Sequence, residues 1–318
     1  MGVGGGACGG YTRRLMAFSS RTKNIAAYIV CTLVWGTTWF SIRLSIAPGG
    51  YPTYEAAALR FTIAVVVMTL ASPLTVLRLR ERVGEQLPWL CVVGLINSVS
   101  YGVLYKGEET VPGSVAAVIY SALPLLTAFA AAVTRSEKIS KGQIVGGAVA
   151  LAGIVMVFRD RLHVSPEQAA GVGLVCVAVL ANAGYLLVFR RKVRGEHSMA
   201  ATGVFLAATA AGLWCFSAAR GFAPIPWPLP LKPTAALVYL GIFGTVVTFV
   251  CYLYLIRNVG VVTSSTLIIV ESLVALAVDR AWERQAKLTV PMFVGALVAL
   301  AGSLVSILAR PEDAAGEM

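Results

Sequence analysis

At 318 residues, 58% hydrophobic and only 13% charged, this chain departs from soluble domains, in which about 25% of residues are charged. No soluble interior can hide its repeated apolar runs of about 20 residues, so it reads as an all-α polytopic membrane protein. The net charge of +11 does not point to nucleic acid, because the basic residues stand in short clusters between apolar runs, where they fix orientation and meet lipid headgroups.

Residues 1–24 are Gly-rich, basic and free of acid, with no apolar core, so they are expected to be a cytoplasmic tail and not a secretory signal. Gly6 stands where a myristoylation signal requires Ser or Thr, and Met16 is an alternative start. Ten apolar segments follow, near 25–46, 53–73, 88–106, 112–133, 142–158, 169–189, 198–219, 234–256, 259–281 and 289–309. Each is expected to be helical, since lipid offers no partner for an open backbone group. The connections are short and marked by Pro48, Pro52, Pro88, Pro112 and Pro166, and none can hold a soluble domain.

Charge placement predicts the orientation. With the N-terminus inside, 16 of the 26 basic residues fall in cytoplasmic segments and 8 in outer ones, while Arg43 and Arg60 lie within helices. This bias places both termini in the cytoplasm of a cell-membrane protein.

The two halves resemble each other. Residues 145–153 read VGGAVALAG and 294–302 read VGALVALAG, with seven identities in nine at an offset of 149. Leu90 and Gly94 match Leu237 and Gly241 at an offset of 147, and Gly36 and Arg43 match Gly184 and Arg191 at 148. The expected organisation is a first repeat over 25–158, a connection at 159–168, a second repeat over 169–309 and a tail at 310–318. Five helices is an odd number, so the copies are expected to lie inverted in the membrane, with a substrate site near the midplane between them.

Several residues are candidates for that site. Glu271 sits at the centre of the ninth segment, where a charge costs roughly 2.5–3.5 kcal/mol on insertion scales. It reads as a proton-coupling group or a partner for a substrate cation; the alternative is a structural hydrogen bond to a neighbouring helix. Arg60, in the second segment, suits a substrate carboxylate held bidentately, and its alternatives are pairing with Glu55 or snorkelling to the interface. Arg43 reads as an anchor or a site residue. Asn97 and Asn182 are candidates either for the site or for joining helices. Trp35, Trp39, Tyr101 and Tyr185 are candidates for apolar walls, with ordinary packing as the alternative.

The rows Gly142/Gly146/Ala150, Gly295/Ala299/Ser303 and Gly94/Ser98/Gly102 repeat every fourth residue and predict close helix packing. The six cysteines stand singly, with no CxxC, and the two histidines fall in connections, so neither a metal nor a cofactor is expected.

Motifs in order along residues 25–309 resemble the EamA family of the drug/metabolite transporter superfamily. They are VWGTTWFSIRLS (34–45), AALRF (57–61), VPGSVAAVIYSALPLLTA (111–128) with Pro124 in mid-helix, Glu137, and YLGIFGTVVTFVCYLYLIRNVG (239–260). The ninth segment departs from that pattern: Ile-Val-Glu (269–271) replaces a proline, and Glu283 lacks a preceding glycine. The resemblance implies transport of amino acids, other metabolites or amphipathic drug-like compounds. With no P-loop, the energy is expected to come from a proton gradient, exchange or the substrate gradient. The expected function is therefore a secondary transporter of a small metabolite, an amino acid or related zwitterion, working by alternating access as an exporter. The other classes are a channel or non-transporting scaffold, and an intramembrane enzyme, which the absence of HExxH and of intramembrane histidine disfavours. The expected partners are the lipid bilayer, the small-molecule substrate and a proton; a homodimer is left open.

Overall fold

The computed structural model describes residues 20–71, 84–133, 140–159, 166–193, 199–282 and 289–309. Arg78, Arg80, Arg82, Arg135 and Lys138, both histidines, Glu137 and Glu283 lie outside these.

Among the described residues the structure is helix and turn, without strands. The helices are α1 (Ser20–Ser45), α2 (Thr53–Ala71), α3 (Leu87–Glu108), α4 (Gly113–Tyr120), α5 (Leu123–Val133), α6 (Lys141–Arg159), α7 (Pro166–Lys192), α8 (Met199–Ala219), α9 (Leu231–Gly241), α10 (Thr248–Ser265), α11 (Leu267–Trp282) and α12 (Val290–Leu308). A π-helical turn, Ile242–Val247, joins α9 to α10. Among the described residues, six helical stretches are long and apolar enough to cross a membrane: Arg21–Ser45, Thr53–Ala71, Gly84–Glu108, Pro166–Phe189, Ala200–Ala219 and Leu231–Leu255. Gly113–Thr127, Lys141–Met156 and Phe293–Ser306 are shorter apolar helices.

Local chemistry explains the helix ends. Pro112 and Pro230 precede α4 and α9, and Pro88 and Pro166 sit at the starts of α3 and α7, where a missing N–H costs no helical bond. At α6 a reciprocal cap forms: the Gln143 N–H donates to Ser140 Oγ (3.1 Å), and the Ser140 N–H donates to Gln143 Oε1 (2.9 Å). The predicted fourth segment is interrupted at Ser121–Ala122, just before Pro124, whose ring and missing N–H prevent an unbroken ladder. The predicted gap near 257–258 is absent: α10 runs through Arg257 and Asn258 to Ser265, and the chain breaks at Thr266 instead. Arg257 and Asn258 carry ordinary helix propensity, so polarity alone does not end a helix there.

Large apolar side chains face outward, among them Leu70 (75% exposed), Val155 (67%) and Leu180 (57%), while Arg60, Glu108 and Asp279 are buried. This inside-out distribution fits a lipid-facing exterior, where apolar surface carries no penalty. The small-residue rows are packing surfaces. A Cβ on Gly153 would overlap the backbone of Ala299 and Gly295, and one on Gly302 would overlap that of Ala150 and Gly146. The antiparallel pair α6 and α12 thus meets backbone to backbone. Gly94 packs against Ala208 and the Phe205 carbonyl, and Ser98 lies against Gly212, joining α3 to α8.

Elsewhere α3 also packs along α7, α2 along α8 and α9, and α1 along α9, α10 and α11. Between α1 and α2 the turn uses Gly49, whose φ of +80° is costly for a residue with a Cβ.

Candidate functional site

Arg60 is the centre of the buried polar structure. It projects from α2 with 3% of its surface exposed. Its Nε donates to Thr245 Oγ1 (3.2 Å) and its Nη2 to the Gly244 carbonyl (3.3 Å), both in the π-helical turn. A π turn displaces the i→i−4 ladder and leaves carbonyls to be satisfied otherwise. Here the Thr245 hydroxyl donates to the Leu240 carbonyl (2.9 Å), and Gly244 offers its own carbonyl to the arginine. The guanidinium also lies over the rings of Tyr101 (5.1 Å) and Phe61 (5.5 Å), a favourable place for a desolvated cation. Among the described residues no carboxylate lies within ion-pair distance of Arg60. Glu55, the alternative partner, is instead occupied: its Oε1 accepts from Ser217 Oγ (2.6 Å) and from the Ala223 N–H (2.9 Å), tying α2 to α8 and to the segment after it.

Around Arg60 stands an aromatic cluster. Tyr101 meets Phe61 edge-on at 4.7 Å, and Trp39 meets Tyr120 edge-on at 5.0 Å. Tyr120 and Ser100 approach to 3.5 Å through their hydroxyls, and Asn182 lies beside the same hydroxyl. Tyr185 packs on Phe205 at 5.6 Å. The structure therefore gathers Arg60, Trp39, Tyr101, Asn182 and Tyr185 with Phe61, Tyr105 and Tyr120, on α1, α2, α3, α4 and α7.

The other candidates are placed differently. Asn97 donates through Nδ2 to Thr209 Oγ1 (3.2 Å) and joins α3 to α8. Trp35 pairs with Tyr252 at 5.2 Å in a separate cluster with Cys31 and Leu255. Arg43 is half-buried near the C-terminal end of α1. Glu271 is 7% exposed on α11, beside the helix face of α1 that carries Gly36 and Cys31. None of the described residues donates a hydrogen bond to its carboxylate.

Three buried groups have no place in the sequence reading. Tyr105 is fully buried one turn beyond Tyr101, and Glu108 is 1% exposed at the end of α3. Asp279, 1% exposed on α11, accepts from the Ser114 N–H (2.7 Å) at the start of α4. The signal for the first two was the spacing 101, 105, 108, which places them on one helix face.

A bundle of membrane-length apolar helices around a buried cation and aromatic side chains defines a multi-pass membrane protein. The model of the EamA-like transporter family matches residues 22–159 and again 169–308, and the chain belongs to that family. It is 27% identical over 268 residues to a Streptantibioticus cattleyicolor protein named "Probable terminal-alkyne amino-acid exporter", covering 82% of this chain and 86% of that one. It is 27% identical over 270 residues to the inner membrane transporter YedA of Escherichia coli K12, covering 82% and 83%. Protein PagO of Salmonella typhimurium is 22% identical over 295 residues, covering 90% and 95%. One solved crystal structure superposes with a TM-score of 0.60 at 20% identity, covering 92% of this chain and 99% of that one, a likeness of fold alone.

Proposed function

We propose that this transporter moves a small zwitterion, an amino acid with an apolar side chain or a close relative, by alternating access, as an exporter driven by a proton gradient or by exchange. The observation that carries the substrate class is Arg60: a desolvated guanidinium with an aromatic surround and donors left over after its bonds to Thr245 and Gly244. Those donors suit a carboxylate, and the rings suit an apolar side chain. The exporter name carried by the Streptantibioticus relative supports the same class. Glu271 is assigned the coupling proton.

On this reading the bundle forms ten spans in two inverted repeats. The packing supports this, because pairs recur under exchange of the halves. α3 lies on α7 as α1 lies on α9 and α10, and α6 lies antiparallel on α12. Gly153 and Gly302, equivalent in the two copies, each meet the backbone of equivalent partners. Gly94 and Gly241 are likewise both close-packing positions, against α8 and α2. Both termini are then cytoplasmic and residues 159–168 lie outside. Reporter fusions at Ser165 and at the C-terminus are expected to be external and internal respectively; the reverse pair would overturn the orientation, and both reporters on one side of the membrane would end the inverted arrangement.

The test of the substrate assignment is Arg60→Ala. Loss of a charge-assisted hydrogen bond is worth about 1.5–3 kcal/mol, or roughly 10- to 150-fold in affinity. Binding of L-phenylalanine is expected to fall by that factor and binding of its amide by much less. Equal losses would mean that Arg60 serves only to hold α2 against the π turn.

A further inference from the structure

Resting on the reading of Arg60 as the carboxylate site, we propose that Glu108 is the group that recognises the substrate's ammonium, so that one face of α3 sets the specificity for zwitterions. Tyr101, Tyr105 and Glu108 follow at spacings of four and three, which aligns them in one stripe along α3. That stripe is fixed toward Arg60, because the Tyr101 ring lies 5.1 Å from the guanidinium carbon and packs on Phe61. Tyr105 is fully buried on the same stripe and feels both Arg60 and Glu108 electrostatically. The neighbouring face of α3 is committed elsewhere: Gly107 is pressed against the Gly171 carbonyl of α7.

Glu108 is the buried acid on this face. The adjacent Glu109 is a different case, a surface acid paired with Lys106 at 2.6 Å, so that lysine is already engaged at the rim. Glu108, 1% exposed, acts electrostatically on Arg60, Tyr105 and Tyr120, the residues that bound the aromatic cluster. A buried carboxylate and a buried guanidinium on two packed helices present the two poles that a bound α-amino acid reverses. Glu271, by contrast, stands beside the Gly36 face of α1 and is left to the proton.

The test compares L-phenylalanine with 3-phenylpropanoate, which lacks the amine, for binding to the purified full-length protein and to Glu108→Gln. Wild type is expected to prefer phenylalanine by about tenfold or more, as for one charged hydrogen bond. In Glu108→Gln that preference is expected to collapse to near unity through loss of phenylalanine binding, with phenylpropanoate retained. A preference unchanged in Glu108→Gln overturns the assignment while leaving Arg60 as carboxylate site intact. If wild type binds neither compound, the substrate reading itself fails, and Glu108 with it. Should Glu108→Gln fail to fold, Glu108→Asp, which keeps the charge but withdraws it by one methylene, is expected to lower the preference; an undiminished preference there overturns the proposal equally.

Discussion

Glu271→Gln protein, purified and reconstituted in liposomes, is expected to bind and exchange L-phenylalanine but to lose accumulation driven by an imposed pH gradient. Glutamine keeps the shape of the neutral acid and much of its hydrogen bonding, and it removes only the titratable proton. In the proposed cycle substrate flux is tied to the charging and discharging of this carboxyl group, so exchange survives and gradient-driven uptake does not. With one proton coupled per substrate, a gradient of one pH unit drives an accumulation of about tenfold. The expected ratio for the variant is near one. Normal accumulation by Glu271→Gln would remove Glu271 from the coupling step.

The second large effect is structural. Gly302→Leu is expected to prevent recovery of monodisperse, folded protein, because even a Cβ there overlaps the Ala150 and Gly146 backbone. Overpacking against yielding side chains costs about 1–3 kcal/mol, and backbone yields less than side chains do. Gly173→Leu is the control, since a Cβ at that position meets nothing within 4 Å. Size-exclusion profiles and thermal unfolding of the two variants check the comparison. Equal behaviour would mean that the contact between α6 and α12 does not hold the fold together.

Much of the helical architecture was legible in the sequence because it follows from strong local signals. Apolar runs marked the helices, proline marked several starts, and small residues every fourth position marked close helix contacts, whereas the segment expected over 112–133 is broken before Pro124. The join between α10 and α11 was not legible: the polar pair Arg257–Asn258 suggested a loop, yet the helix continues through it. The candidate site was legible only as residue types. Arg60 stood out as a cation in an apolar segment, but its hold on Thr245 and Gly244 depends on a π turn that no local pattern announces. Glu55 looked like its partner from proximity along α2, whereas the fold brings Ser217 and Ala223 to it from 162 and 168 residues away. Glu108 and Asp279 stand near the ends of apolar segments, where no pattern singled them out. Their burial arises from tertiary packing, as where Asp279 meets the start of α4, which sequence spacing does not contain.

The most direct test of the central claim is uptake of radiolabelled L-phenylalanine by proteoliposomes preloaded with unlabelled L-phenylalanine. An alternating-access carrier gives a transient overshoot of label, saturates with concentration, and is competed by related zwitterions. The account predicts all three for the wild-type protein, with at least a tenfold loss of initial rate at sub-saturating substrate in Arg60→Ala. Flux that rises linearly with concentration, without overshoot or competition, would mark a channel, and no flux above protein-free liposomes would contradict transport of this substrate class.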